Sequence, residues 1–253
     1  KEDSLLLILS ADHIIKDELA FHSSINQAIP HAKSGNLVTF GITPKKAHTG
    51  FGYIKTGDKK KGALKVDKFI EKPNKKNAEK YFKSENYLWN SGMFLFKAST
   101  YLKELNRFRP DIYNACKASI KNINKDLDFL RIDEKIFADC PSESIDYAVM
   151  EKTDKSLVVP MDAGWSDIGS WSSLWDISKK DKDGNVSIGD AILHNTKDCY
   201  IDANEKLVST IGVDNLIIID TKDAVMIANK DSEEDIKTIA NKLKNEKRSE
   251  WDL

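Results

Sequence analysis

The chain has little cysteine. There are three residues in 253, Cys116, Cys140 and Cys199, far apart and without a Cys-x-x-Cys pair. This argues against a disulfide framework or a zinc site and points to a reducing compartment. Long apolar runs are also missing. The opening run Leu5-Leu6-Leu7-Ile8-Leu9 is far shorter than the roughly 20 residues that span a bilayer. No signal-peptide pattern is visible, so the expected location is the cytoplasm. Neither sign of charge is in excess. Lys and Arg number 39 and Asp and Glu 40, a net charge of -1, so no strong field favours nucleic acid or an anionic membrane. With 40% hydrophobic and 31% charged residues, the composition fits a globular protein with one large α/β domain and something small beside it.

The run Leu5 to Leu9 reads as a strand buried on both faces, as in a parallel sheet flanked by helices. Phe21, Ile25, Ala28 and Ile29 fall at helical spacing and predict a helix from Lys16 to Ala28 that ends near Pro30. Asn36 to Ile42 is the next strand, so the helix between suggests a parallel βαβ crossover. Further strands are expected at Val66–Glu71, within Leu88–Lys97, where one carries Met93-Phe94-Leu95-Phe96, and at Ser156–Met161. Helices are expected at Asn77–Ser84, through most of residues 99–140 (Ile112–Ile123 among them), at Ser144–Lys152 and at Ser170–Ser178. The polar stretch Lys179 to Gly184 marks a boundary between domains at 1–178 and 184–253. Beyond it come short strands: Val186–Ile192, Cys199–Asp202, Leu207–Ile211, Leu216–Asp220 and Ala224–Ala228. A closing helix follows, Glu233–Leu243. This pattern suggests a small β unit with a few turns of β-helix, whose exposed edges would suit a homodimer. The chain enters a core strand directly after Lys1-Glu2-Asp3-Ser4, so residues of the same fold are expected upstream of Lys1.

After Leu9 the chemistry changes to Ser10, Asp12 and His13. Ligands in open α/β sheets bind beyond the carboxyl ends of strands, where an Asp can hold a cation against phosphate. Capping the following helix explains Asp12 equally well. In Thr49-Gly50-Phe51-Gly52-Tyr53, two glycines allow close backbone approach to a ligand or serve an ordinary turn. Glu71 ends a strand and can accept hydrogen bonds from sugar hydroxyls, while Lys72 can face a phosphate as a point charge. Asn90 offers donor and acceptor to a vicinal diol, and Gly92 leaves room. A surface Glu–Lys pair and a turn before a core strand account for each motif taken alone. Asp167, between a strand and a helix, is either a cap, a role open to Ser170 as well, or a second carboxylate on a metal shared with Asp12. Magnesium suits such a site, since it keeps waters and takes few carboxylates.

Six stretches carry a resemblance. They are Ser10-Ala11-Asp12-His13, Thr49-Gly50-Phe51-Gly52-Tyr53-Ile54, Glu71-Lys72-Pro73, Trp89-Asn90-Ser91-Gly92-Met93-Phe94, Ser144 to Lys152, and Gly164-Trp165-Ser166-Asp167-Ile168-Gly169-Ser170-Trp171. In order and spacing the chain resembles the bacterial mannose-1-phosphate guanylyltransferases over essentially its whole length. His13 and the Trp-Ser-Asp form of the last stretch favour the mannose/GDP branch of sugar nucleotidyltransferases. The resemblance implies an α/β fold: a Rossmann-like nucleotidyltransferase sheet followed by a small β-helix-like C-terminal domain. The implied reaction transfers GMP from GTP to mannose 1-phosphate, giving GDP-mannose and pyrophosphate, with Mg²⁺. The implied metal ligands are Asp12 and Asp167, which with Lys72, beside the sugar phosphate, are the implied catalytic residues. Gly52, Glu71, Asn90 and Ser91 match mannose-site positions, and Ala11, Asp12 and His13 the nucleotide side. A sugar phosphate is largely ionised at neutral pH, so His13 is assigned a structural or nucleotide-contact role and not that of a general base.

Two departures qualify the resemblance. The family's opening loop, similar to Gly-Gly-x-Gly-Thr-Arg-x-x-Pro, does not occur in these residues. Its place would be before Lys1, and little turnover is expected of the 253-residue polypeptide without it. Many relatives also continue into a cupin domain that isomerises mannose 6-phosphate, whereas these residues run to Trp251-Asp252-Leu253 and are assigned no isomerase activity. The rival readings are a nucleotidyltransferase for another sugar, such as glucose 1-phosphate, and a non-catalytic sugar-nucleotide-binding subunit.

Overall fold

The computed structural model describes residues 3–121 and 123–248. Lys1 and Glu2 of the opening, Asn122 of the expected helix Ile112–Ile123, and the closing Trp251, Asp252 and Leu253 lie outside the described residues. The chain divides into two compact units, Lys1–Trp165 and Ser166–Leu253.

In the first unit the elements are β1 (Leu5–Ile8), α1 (Glu18–Lys33), β2 (Leu37–Ile42), β3 (Tyr53–Lys60), β4 (Ala63–Ile70), α2 (Lys75–Phe82), β5 (Tyr87–Lys97), α3 (Ala98–Phe108), α4 (Pro110–Ser119), β6 (Asn124–Asp126), β7 (Phe129–Arg131), α5 (Glu134–Ala138) and β8 (Ser156–Pro160). A π-helical turn, Asp146–Met150, precedes β8. Six strands form one sheet in the order β1-β5-β2-β8-β4-β3, with β3 also pairing β5. Alternating side chains of β5 serve both faces. Trp89, Met93 and Leu95 pack with Val38, Phe40 and Val159 against Phe21, Ile25 and Ile29 of α1. Leu88, Phe94 and Phe96 pack on the opposite side with Val158, Leu105 of α3 and Val149 of the π-helical turn. Helices on two faces of a sheet give an α/β architecture.

Among the described residues, the first strand has no parallel neighbour of the kind expected for it. β1 pairs antiparallel with β5, which itself pairs antiparallel with β2, so β1 and β2 run the same way with β5 inserted between them. Direct parallel pairing occurs instead between β2 and β8. Among the described residues β1 lies at the edge of the sheet, and there Leu6, Leu7, Ile8 and Leu9 are 37–48% exposed, not buried on both faces. The helix expected to end near Pro30 runs on to Lys33 and is closed by Gly35 at φ +85. Pro30 sits in the last turn, where its missing N–H costs a single helical hydrogen bond. Part of the expected helical stretch 99–140 is the exposed hairpin β6–β7, turned at Leu127 with φ +52.

The second unit comprises α6 (Trp171–Ile177), β9 (Val186–His194), β10 (Tyr200–Ile211), β11 (Leu216–Asp220), β12 (Val225–Asn229), a 3₁₀ turn (Lys230–Asp235) and α7 (Ile236–Asn245). β9, β10 and β11 are stacked in parallel, and β12 closes the sheet antiparallel. Val186, Tyr200 and Ile217 occupy one column of this stack, as Ser187, Ile201 and Ile218 do the next, giving a β-helix-like unit. The two expected strands Cys199–Asp202 and Leu207–Ile211 are one strand, β10, interrupted by a bulge after Ala203. Trp171, Leu174 and Trp175 of α6 pack on Val186, Tyr200, Ile217 and Ile219, so the compact division falls ahead of this helix and of the polar stretch 179–184.

Candidate active site

The centre of the site is an irregularity in β5. Thr39 pairs with Phe94 and Gly41 with Asn90, so Ser91, Gly92 and Met93 lie opposite Phe40 alone. Gly92 takes φ +70, which glycine adopts without strain. Ser91 is buried, and its Oγ accepts from the Met93 N–H at 3.3 Å. Asn90 is buried too. Its Oδ1 accepts from Thr39 Oγ1 at 3.1 Å and from the Gly92 N–H at 3.3 Å, and its Nδ2 donates to Asp146 Oδ1 at 3.1 Å.

Gly52 precedes β3, and its carbonyl accepts from the Asn90 N–H at 2.8 Å. A Cβ on Gly52 would run into Glu71 Oε2 and lie 3.2 Å from Asn90 Cβ. Glu71 and Asn90 therefore flank the space above Gly52, and only glycine leaves it open. Glu71 follows β4, and its N–H donates to Glu151 Oε1 at 3.2 Å. Burial, and then the neighbouring Asp146, push the Glu71 carboxyl up to about 7, against the pull of Lys72. Burial also raises Asp146, opposed by its hydrogen bonds from Ser144 and Asn90. Lys72 is exposed and takes φ +43.

On the other side of the bulge, a Cβ on Gly92 would lie 3.6 Å from Ser10 Oγ and 3.8 Å from His13 Cε1. The turn after β1 thus packs on the irregular part of β5. Trp165 Nε1 donates to His13 Nδ1 at 3.2 Å. An indole N–H can only donate, so the imidazole proton sits on Nε2, 3.9 Å from Asp12 Oδ1. The N–H groups of Lys16 and Asp17 both donate to the Ala163 carbonyl at 3.0 Å, tying the segment after β8 to the one after β1. Ala11 and Asp12 are exposed in this turn. Asp12 does not cap α1; Asp17 does, accepting from the Ala20 N–H at 2.9 Å. In the second unit Asp167 does not cap α6, because Ser170 Oγ accepts from the Ser173 N–H at 3.1 Å. A Cβ on Gly169 would lie 2.9 Å from Asp167 Oδ2, and Ile168 between them takes φ +44, strained for a β-branched residue.

The first unit therefore brings together Asp12, His13, Gly52, Glu71, Asn90 and Gly92 around one strand irregularity. The sequence model of the nucleotidyl transferase family matches residues 1–184. The chain belongs to the nucleotidyl transferase family. Residues 189–243 of this nucleotidyl transferase match a second model, the MannoseP isomerase/GMP-like beta-helix domain. The mannose-1-phosphate guanylyltransferase of Salmonella muenchen is 55% identical over 250 residues, 98% of this chain and 53% of that protein. The mannose-1-phosphate guanylyltransferase of Escherichia coli K12 is 49% identical over 255 residues, 99% of this chain and 53% of that protein. The nucleotidyl transferase chain spans about half the length of the curated relatives it matches. A crystal structure described as mannose-1-phosphate geranyltransferase from Thermus thermophilus superposes with a TM-score of 0.83 at 28% identity, covering 95% of this chain and 70% of that one.

Asp146, Glu151, Thr39 and Trp165 are neighbours of the site to which sequence reasoning gave no role. The stretch Ser144–Lys152 carried a signal through the resemblance. Read as an ordinary helix, however, it sends residues 146 and 151 to different sides. The π-helical turn, closed by the Glu151 N–H to the Asp146 carbonyl at 2.9 Å, turns both toward the site.

Proposed function

We propose that the protein transfers GMP from GTP to mannose 1-phosphate, releasing pyrophosphate and GDP-mannose, in the cytoplasm. The observation that carries this reading is the joint arrangement of Glu71, Gly52 and Asn90 beside the Ser10–His13 turn. Support comes also from curated relatives named mannose-1-phosphate guanylyltransferase at 49–55% identity. Glu71 and Asn90 bind and orient the sugar hydroxyls, Ser91 lines the same strand, and Lys72 faces the sugar phosphate. Ala11, Asp12 and His13 meet the nucleotide. An oxygen of the sugar phosphate attacks the α-phosphorus in line, forming the new P–O bond as the bond to pyrophosphate breaks. No protein nucleophile is required, and the catalytic contribution is positioning and charge neutralisation.

Asp12 in the first unit and Asp167 in the second are proposed, each taken by itself, as a ligand of a divalent cation, Mg²⁺. Their chemistry fits: both are oxygen donors released from helix capping by Asp17 and Ser170, and the Asp12 side chain is 84% exposed. When bound, the cation would neutralise phosphate charge.

The test is turnover of the full-length protein with Mg²⁺, comparing mannose 1-phosphate with glucose 1-phosphate and GTP with the other nucleoside triphosphates. Preferential formation of GDP-mannose and pyrophosphate is expected. Preference for another sugar phosphate, or tight binding without pyrophosphate release, would replace this reading.

A further inference from the structure

We propose that the π-helical turn is a positioning clip for the sugar site, with Asp146 fixing the side-chain amide of Asn90 and Glu151 fixing the backbone of Glu71. The proposal rests on the reading of Asn90 and Glu71 as sugar-binding residues. A buried amide can be inserted in two orientations, and its neighbours decide between them. The Gly92 N–H can only donate, so it requires the Asn90 oxygen on its side. The Asp146 carboxylate, 3.1 Å away on the other side, requires the nitrogen. Rotating the amide by half a turn would set NH₂ against N–H and oxygen against carboxylate. With Oδ1 engaged by Thr39 and Gly92 and one N–H given to Asp146, the second N–H of Nδ2 is the donor left for a ligand hydroxyl.

The mount is rigid. Ala148, Val149 and Met150 of the same turn are buried in the core with Phe94 and Phe96 of β5 and Leu105 of α3. Insertions of this kind in helices are frequent at functional sites. Asp146 reaches the side chain of one sugar-site residue, and Glu151 the main chain of the other at 3.2 Å. The cost is three carboxylates, Glu71, Asp146 and Glu151, within electrostatic reach of one another and offset by Lys72. A turn serving packing alone would do better with neutral residues at positions 146 and 151.

The test is steady-state kinetics of the full-length protein with mannose 1-phosphate and GTP. Asp146→Ala is expected to raise the KM for mannose 1-phosphate about tenfold, the scale of one hydrogen bond to a charged group, and to leave the KM for GTP unchanged. Asp146→Asn should restore the KM, because its Oδ1 accepts the same bond. The double variant Asp146→Ala/Asn90→Ala should be no worse than Asn90→Ala, since the two residues act as one. Additive losses, no rescue by Asn, or an equal rise in the KM for GTP would overturn the clip. If Asn90→Ala itself leaves the sugar KM unchanged, the sugar reading fails separately. The clip is then judged by the NMR signals of the Asn90 side-chain amide. They should shift in Asp146→Ala and stay in Asp146→Asn, and signals unmoved in Asp146→Ala would refute it.

Discussion

Helix capping is the role that Asp12 and Asp167 do not have. Asp17 and Ser170 hold the cap positions of α1 and α6. Asp17→Ala and Ser170→Ala should each lower stability by about 0.5–2 kcal/mol with little effect on turnover. Asp12→Asn and Asp167→Asn should keep near-native Tm and lose at least about a hundredfold in kcat, the scale of one transition-state electrostatic contact. Thermal melts beside kinetics at saturating substrate check both pairs. Glu71 gives a pH dependence. Its carboxyl rises from an ordinary 4.5 to about 7, so the folded chain holds that proton more tightly than the unfolded chain. The stability linked to it is full below pH 4.5 and is lost as pH rises through about 7. Glu71→Gln should therefore melt higher than the parent above about pH 7, with the difference shrinking toward pH 4.5, in ligand-free melts across that range. Glu71 and Asn90 stood out in the sequence because their side chains suit sugar hydroxyls, and Gly52 because a glycine pair allows close backbone approach. Asp146 did not, because its partner Asn90 lies 56 positions away and the turn that aims it has no distinctive spacing.

At the scale of elements, most strands and helices were legible from apolar periodicity, but pairing was not. The run Leu5–Leu9 carries no information that its partner is β5, 80 and more positions later, and apolarity alone suggested burial on both faces. The irregularity in β5 was equally hidden, since Asn90-Ser91-Gly92 reads as a turn before a strand and is in fact inside one. Two glycines beside it differ in what surrounds them. A Cβ on Gly41 would lie 2.6 Å from both Leu88 Cδ1 and Val158 Cγ2 in the core. Gly41→Ala should therefore cost about 1–3 kcal/mol through overpacking, with substrate KM values kept. Gly52→Ala pushes instead on the Glu71 carboxylate and should raise the KM for mannose 1-phosphate more than it lowers Tm. Denaturant melts and kinetics on the two variants distinguish these outcomes, and a loss of stability without a kinetic effect at Gly52 would contradict the assignment of that space.

At the scale of the whole molecule, the α/β unit and the β-helix-like unit were both readable: one from strands alternating with helices, the other from short strands at close spacing. The compact division falls ahead of α6, whose allegiance is decided by tertiary packing on Val186, Tyr200 and Ile217, while the two family models meet beyond it, between residues 184 and 189. The central claim concerns the first unit: the space bounded by Glu71, Gly52 and Asn90 takes the sugar and not the nucleotide. Its most direct test is the pair of KM values in Glu71→Ala and Asn90→Ala of the full-length protein. Loss of one charged or buried hydrogen bond to a substrate hydroxyl is worth roughly 1.5–3 kcal/mol, so the KM for mannose 1-phosphate should rise about tenfold or more while the KM for GTP stays put. An equal rise in both, or a rise for GTP alone, would contradict the account.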